Sequence, residues 1–300
     1  MKKCLFEGCG VAVVTPFRQG RIDYAALYKI IEQDISKGAK AIVLLGTTGE
    51  GVSVSKEERE EIIKFTKNII NNRVKLIVGT GNNNFITCQE NTLMAKNLGA
   101  DGALIVTPYY NKTTQNGLVE YYTQLSKIGI PIIVYNVPSR TGLNIEIETI
   151  KKLLDCDMIY GIKESTTDIN RIIQLSMICK DRIALYSGED ALNYVFYCLG
   201  ASGCVSVTAN VVADKVQKIY ELVKSGDLNS ALEMQNQLME LDKALFVETN
   251  PIPVKNLMSH MNLIQDDVRM PLVKAGDNTN SLLIRLAQKL QTEKENHLNY

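Results

Sequence analysis

The sequence predicts an α/β fold: a TIM (β/α)8 barrel with a small C-terminal helical region. Three observations carry that expectation. Eight short apolar runs alternate with amphipathic helical segments at a period of roughly 25–30 residues, the pattern of parallel strands joined by crossover helices. The chain has 300 residues, enough for one such barrel and a little more. No G-x-G-x-x-G follows the first strand, which weighs against an open doubly wound sheet.

The first strand is expected over 11–14, ending in T-P-F. A helix over 24–37 carries Leu27, Ile30, Ile31 and Ile35 at helical spacing and stops at Gly38. The second strand, 41–45, runs into G-T-T-G-E (46–50). Ser55 opens the next helix with Glu58 three residues on, a capping box. The third strand, 76–78, ends in G-T-G-N-N-N, and its helix closes at Gly99. The fourth, 103–106, ends in T-P-Y-Y-N. A helix around 118–128 leads to the fifth, 132–135, which ends in N-V-P-S-R-T-G. A helix over 145–154 precedes the sixth strand, within 158–165. A helix over 169–179, a seventh strand over 183–186, a helix over 191–199 and an eighth strand over 204–207 complete the count. Beyond about Val211 only helical patterns remain, over 212–224, 227–247, 253–261 and 281–290. The expected organisation is a barrel over 1–225 and a helical region over 226–300, with Gly226-Asp227 at the junction.

Composition removes several function classes. Lys+Arg and Asp+Glu both number 33, so nothing invites nucleic acid or an acidic membrane surface. Seven scattered cysteines without C-x-x-C are neither a disulfide framework nor a zinc signature, and they suit a reducing cytoplasm. No apolar run approaches the ~18 residues of a membrane helix, and Glu7 breaks the N-terminal apolar run where a signal peptide needs continuity. His260 and His297 lie away from the strand ends, which excludes zinc and a Ser-His-Asp triad. Walker A and calcium-loop patterns are absent from the sequence.

In a TIM barrel the site lies at the C-terminal ends of the strands. The sixth strand, M-I-Y-G-I-K-E-S, is apolar on both parities, as a strand buried on both faces should be. Lys163 sits at its end. Apolar surroundings disfavour the ammonium form, and a neutral lysine is a nucleophile that forms a Schiff base with a carbonyl substrate. An imine with a 2-oxo acid needs three further things. Donors for the carboxylate are offered by Gly46, Thr47 and Thr48. A proton shuttle is offered by Tyr135. A fork for a second carboxylate is offered by Arg140. Tyr109, Tyr110 and Gly188 fall at the same strand ends. Singly, each has a plainer reading: a solvated lysine, an ordinary strand-to-helix turn, interface packing for the tyrosines, a surface charge for Arg140. Their collection at one end of one barrel argues against those readings.

G-T-T-G-E, V-T-P-Y-Y-N, Y-N-V-P-S-R-T-G, G-I-K-E-S and S-V-T-A-N, in this order, resemble the dihydrodipicolinate synthase family of class I pyruvate aldolases. The likeness covers nearly the whole chain, including F-V-E-T-N-P-I-P-V-K (246–255). The resemblance implies Schiff-base condensation of pyruvate with L-aspartate 4-semialdehyde, the first committed step toward diaminopimelate and lysine. It implies Lys163 as the Schiff-base residue, and Thr48, Tyr135 and Tyr110 as a proton relay with Tyr110 supplied by a neighbouring subunit. Thr47 and Thr48 would hold the pyruvate carboxylate, Arg140 the semialdehyde carboxylate, and Gly188 and Val205 would line the pocket. It further implies no cofactor or metal and a homotetramer built as a dimer of dimers, while the N-terminal and apolar-run patterns above lead to the expectation of a cytoplasmic protein. One departure stands out. Asn83 and Tyr109 match the family's lysine-inhibition pocket, but Lys56, Arg59 and Thr87 replace its His, His and Glu, so feedback inhibition is expected to be weak or absent. The alternatives are a sister aldolase (N-acetylneuraminate lyase or a 2-keto-3-deoxy sugar acid aldolase) and a non-catalytic keto-acid-binding barrel. Arg140 and the second Thr of T-T-G favour the synthase over its sisters.

Overall fold

The computed structural model describes residues 2–298, and the side chains of 2–292. Eight parallel strands close into a barrel: β1 (Gly8–Ala12), β2 (Ala41–Leu44), β3 (Lys75–Gly79), β4 (Gly102–Val106), β5 (Ile132–Asn136), β6 (Ile159–Glu164), β7 (Ala184–Ser187) and β8 (Gly203–Ser206). Each pairs with the next in sequence, and β8 pairs with β1 to close the ring. The outer helices are α1 (Tyr24–Ser36), α2 (Lys56–Ile70), α3 (Phe85–Asn97), α4 (Gln115–Ser126), α5 (Ile147–Leu153), α6 (Ile169–Cys179), α7 (Asn193–Cys198) and α8 (Ala209–Ser225). The expected barrel is therefore the observed one.

Local chemistry accounts for the helix starts. Ser55 Oγ accepts from Glu58 N at 3.2 Å while Glu58 returns a carboxylate to Ser55 N at 3.0 Å, the capping box the sequence predicts. Asp23, Asn84, Thr114 and Asp168 cap α1, α3, α4 and α6 in the simpler way. The first strand starts three residues earlier than expected, because Gly8 and Gly10 carry no apolar signature. Phe17–Arg18 and Arg21–Ile22 form a small hairpin, two residues per strand and too short to carry a periodic signal. Gln19 and Gly20 at its tip both have positive φ, 51° and 76°, as a type I′ turn demands. The expected helix over 191–199 splits into a 3-10 turn, Asp190–Leu192, and α7.

Strand side chains alternate between two apolar layers. One set faces the helices in the large outer core. The other fills the barrel: Ala12, Ala41, Val43, Ile77, Leu104, Ile133, Ala184 and Val205. Its N-terminal mouth is sealed by Phe6, whose ring stacks on Tyr186 at 4.5 Å between centroids. The Tyr186 hydroxyl donates to Phe6 O at 3.0 Å, so the buried phenol is satisfied. Gly161 of β6 makes room for that ring: a Cβ there would stand 2.8 Å from Tyr186 Cε2.

After α8, Gly226 turns the chain at φ 86°, and α9 (Leu228–Ala244), α10 (Ile252–His260) and α11 (Asp277–Leu298) follow. His260 sits on α10, 2.8 Å from Asn280 Oδ1; the side chain of His297 lies outside the described residues. None of the described helices is long and apolar enough to cross a membrane. A buried polar network fastens α9 to the barrel. Asp242 accepts from Thr208 Oγ1 at 2.6 Å and from Gln235 Nε2 at 3.1 Å. Asp190 accepts the backbone N–H groups of Val207 and Thr208.

Burial, with the Asp190 carboxylate nearby, pushes Asp242 up to about 8. An unfolded aspartate titrates near ~4. Between those values the folded chain holds a proton that the unfolded chain releases. The contribution is therefore full below the unfolded value and is lost as pH rises through the folded one. Thermal denaturation should show the melting temperature falling from pH ~6 to ~9, and Asp242→Asn should flatten that slope. Parallel slopes in the two proteins would show that another group carries it.

Candidate active site

The strand ends open into a cavity of about 570 Å³. Seven of the eight residues to which the resemblance gives a part in the reaction line it: Thr47, Thr48, Tyr135, Arg140, Lys163, Gly188 and Val205. The eighth, Tyr110, does not. Its side chain is 92% exposed.

Lys163 owes its direction to strand alternation. In β6, Gly161 and Lys163 share the inward parity, and Glu164 points out. Lys163 is 7% exposed, against the usual solvated lysine. Its register partners are Tyr135 on β5 and Tyr186 on β7. Nζ lies 4.2 Å from the centre of the Tyr135 ring. The outward neighbour anchors the strand end. Glu164 is fully buried and meets Arg171 Nη2 at 2.8 Å and Asn136 Nδ2 at 2.9 Å. Burial pushes its carboxyl up, and Arg171 pulls it back down. Gly188 leaves the space that the lysine stem occupies: a Cβ would stand 2.8 Å from Lys163 Cε.

Thr48 is 3% exposed, and its hydroxyl accepts from Asn250 Nδ2 at 2.9 Å. With that lone pair engaged, its O–H is free to donate toward an anion. Among the described residues the N–H groups of Thr47 and Thr48 meet no acceptor, so the turn offers convergent donors of the kind that bind carboxylates. Thr47 and Tyr135 both also line a second hollow of about 260 Å³ that adjoins the first. Arg140 stands on the short helix Pro138–Thr141, and its Nη2 donates to Asn250 O at 3.1 Å. That bond orients the fork at the cavity wall.

Sequence reasoning missed Asn250. It bridges Thr48 and Arg140 and lines both hollows. It sits inside the motif T-N-P-I-P, so its position was visible, but its partners are 202 and 110 residues away. Ser165 and Glu189 also line the cavity. Burial, then the neighbouring Asp190, push Glu189 up.

Tyr110 has φ 69°, and Asn111 N–H donates to Tyr109 O across it at 2.9 Å. A positive φ inside a three-residue turn is a strained state for a residue with a side chain. The turn thrusts the phenol away from this chain's own cavity. Tyr109 beside it is half-buried and lines the smaller hollow with Arg59.

A family model described as the dihydrodipicolinate synthetase family matches residues 5–290. A protein of Fervidobacterium nodosum called 4-hydroxy-tetrahydrodipicolinate synthase is 42% identical over 288 residues, 95% of this chain and 99% of its own length. One of Clostridium novyi with the same name is 40% identical over 280 residues, 93% and 95% of the two chains. The crystal structure of dihydrodipicolinate synthase from Thermotoga maritima superposes with a TM-score of 0.94 at 37% identity, covering 96% of this chain and 99% of that one.

Gly188→Ala is expected to fold and to slow carbonyl adduct formation at Lys163 about 10- to 100-fold, since ~1 Å misplacement of a reacting group costs on that order. Single-turnover borohydride trapping with a 2-oxo acid measures it. A rate equal to that of the unaltered chain would show that the lysine stem does not need this space.

Proposed function

The chain belongs to the dihydrodipicolinate synthetase family, and we propose that it condenses pyruvate with L-aspartate 4-semialdehyde, the 4-hydroxy-tetrahydrodipicolinate synthase reaction. It is a lyase on the path to diaminopimelate and lysine. The observation that carries the residue-level reading is Lys163: a buried amine on an inward strand position, over the Tyr135 ring, in a cavity that the threonine turn and Arg140 also line.

The chemistry follows from that arrangement. Lys163 Nζ attacks C2 of pyruvate and forms a carbinolamine. Loss of water gives the imine, with Tyr135 passing the protons. Thr47 and Thr48 hold the pyruvate carboxylate through hydroxyl and backbone donors. The imine loses a methyl proton to become an enamine, which attacks the aldehyde carbon and forms the new C–C bond. Arg140 takes the semialdehyde carboxylate as a two-pronged donor. The substrate amine then adds to the imine carbon, the ring closes, and Lys163 leaves as the free amine. Thr48 completes the relay with Tyr135 in this reading, its oxygen accepting from Asn250 Nδ2 at 2.9 Å and its O–H left to carry the proton.

The relay's second tyrosine comes from another copy of the chain in this reading. The 92% exposure of Tyr110 and its strained turn support that. A second contact between dimers is supported by Ile169, Ile173 and Met177, three exposed apolar residues at four-residue spacing on α6. The working form is then a homotetramer, in the cytoplasm. Feedback by lysine is weak or absent, because Lys56 and Arg59 add positive charge where a cationic effector would sit. Arg59 is buried and gives its guanidinium to Gly79 O at 2.8 Å and Gly51 O at 2.7 Å.

Two experiments test this reading. Borohydride trapping with pyruvate should leave a pyruvyl adduct on Lys163, with turnover of the semialdehyde that persists in millimolar lysine. An adduct without that turnover would point to another acceptor aldehyde. Tyr110→Phe should retain fold and assembly while losing most of its rate, read by steady-state kinetics beside sedimentation; near-full activity would remove Tyr110 from the mechanism.

A further inference from the structure

The loop that carries Thr47 and Thr48 is held in a costly shape. It runs between two non-glycine residues in the left-handed region, Leu45 at φ 56° and Glu50 at φ 50°. Such conformations are disfavoured for L-residues and persist only where the surroundings over-determine them. The backbone of Leu45 is crowded as well: a Cβ on Gly51 would collide with its carbonyl oxygen.

What over-determines the loop comes largely from far along the chain. Lys255 Nζ on α10 lies 2.5 Å from Glu50 Oε1, and the two side chains are 0% and 1% exposed. The backbone N–H of Arg269 donates to Glu50 Oε2 at 3.0 Å. Lys255 Nζ also lies 4.3 Å from the centre of the Phe17 ring. Lys255 lines neither hollow, so it touches no substrate. A buried ion pair contributes little net stability compared with apolar residues of the same volume, whereas removing one partner strands a buried charge. Stability alone is therefore a weak reason for this pair to sit here.

We infer that the buried Glu50–Lys255 pair is a positioning device: it holds the turn at Glu50 so that Thr47 and Thr48 present their donors to the carboxylate of the 2-oxo acid. Lys255 acts through Glu50, and Glu50 through the loop backbone, where its N–H donates to Thr47 O at 3.0 Å. The inference rests on pyruvate being held by Thr47 and Thr48 for reaction at Lys163. It assigns the pair to the substrate that the threonine turn holds, since among the described residues no hydrogen bond or ion pair joins Glu50 or Lys255 to Arg140, whose fork donates to Asn250 O.

Lys255→Met and Glu50→Gln test it. Both should raise the KM for pyruvate about tenfold or more and leave the KM for the semialdehyde within about twofold, the split expected when one binding subsite is disturbed. Glu50→Gln keeps the shape of the side chain and carries the test if Lys255→Met fails to fold. An unchanged pyruvate KM, even with a lowered melting temperature, overturns the inference, and so does an equal rise for both substrates. Borohydride trapping separates this from the functional reading. No pyruvate adduct at Lys163 in the unaltered chain sinks the reading itself. Half-maximal trapping at the same pyruvate concentration in variant and unaltered chain overturns the positioning role alone.

Discussion

Lys163 and Glu164 are consecutive, and a strand must send them to opposite faces. The site depends on that constraint. Glu164 is fully buried outside the barrel, locked by Arg171 from α6 and Asn136 from β5. A slip of one residue would put the carboxylate inside and the amine among the helices. The outer ion pair therefore fixes which residue faces the cavity, although it never touches the cavity. Below Lys163 the interior is apolar and sealed by the Phe6–Tyr186 stack. The amine thus has low-dielectric material beneath it and an open hollow above.

The opposite wall is built from outside the eightfold repeat. Residues 246–250 line the cavity mouth, and Asn250 ties the threonine turn to Arg140 through two hydrogen bonds. Further along, Lys255 and Arg269 grip Glu50, and Arg269 also grips Glu58 at the start of α2. The C-terminal region is thus a brace for the loop after β2. The barrel presents Lys163 on a rigid strand, and the added C-terminal segment holds the threonine turn and Arg140 in place. Sites held on rigid elements with a supporting shell keep their reacting groups within the tolerance that catalysis demands.

The elements were legible in the sequence because their signals are local. Short continuous apolar runs and the 3.6-residue pattern placed all eight strands and the eight outer helices, α6 to the residue. The errors are local too. Gly8 and Gly10 hid the start of β1. The hairpin after β1 is two residues per strand, too short for a pattern, with only Gln19-Gly20 to mark it. The turn Asp190–Leu192 broke a helix whose apolar spacing continues across it.

Of the candidate site, the sequence by itself determined the residue types and the end of the barrel where they gather. Strand order and parity suffice for that, since every strand of a parallel barrel delivers its last residues to the same mouth. Only the tertiary structure decided how those residues are held: Asn250 on Thr48 across 202 residues, Lys255 on Glu50 across 205, and Arg171 behind the lysine strand. It also decided that Tyr110 faces away from its own chain's cavity. Pairings of that kind depend on how the closed barrel brings distant segments together, and no local periodicity encodes the distance between two side chains two hundred residues apart.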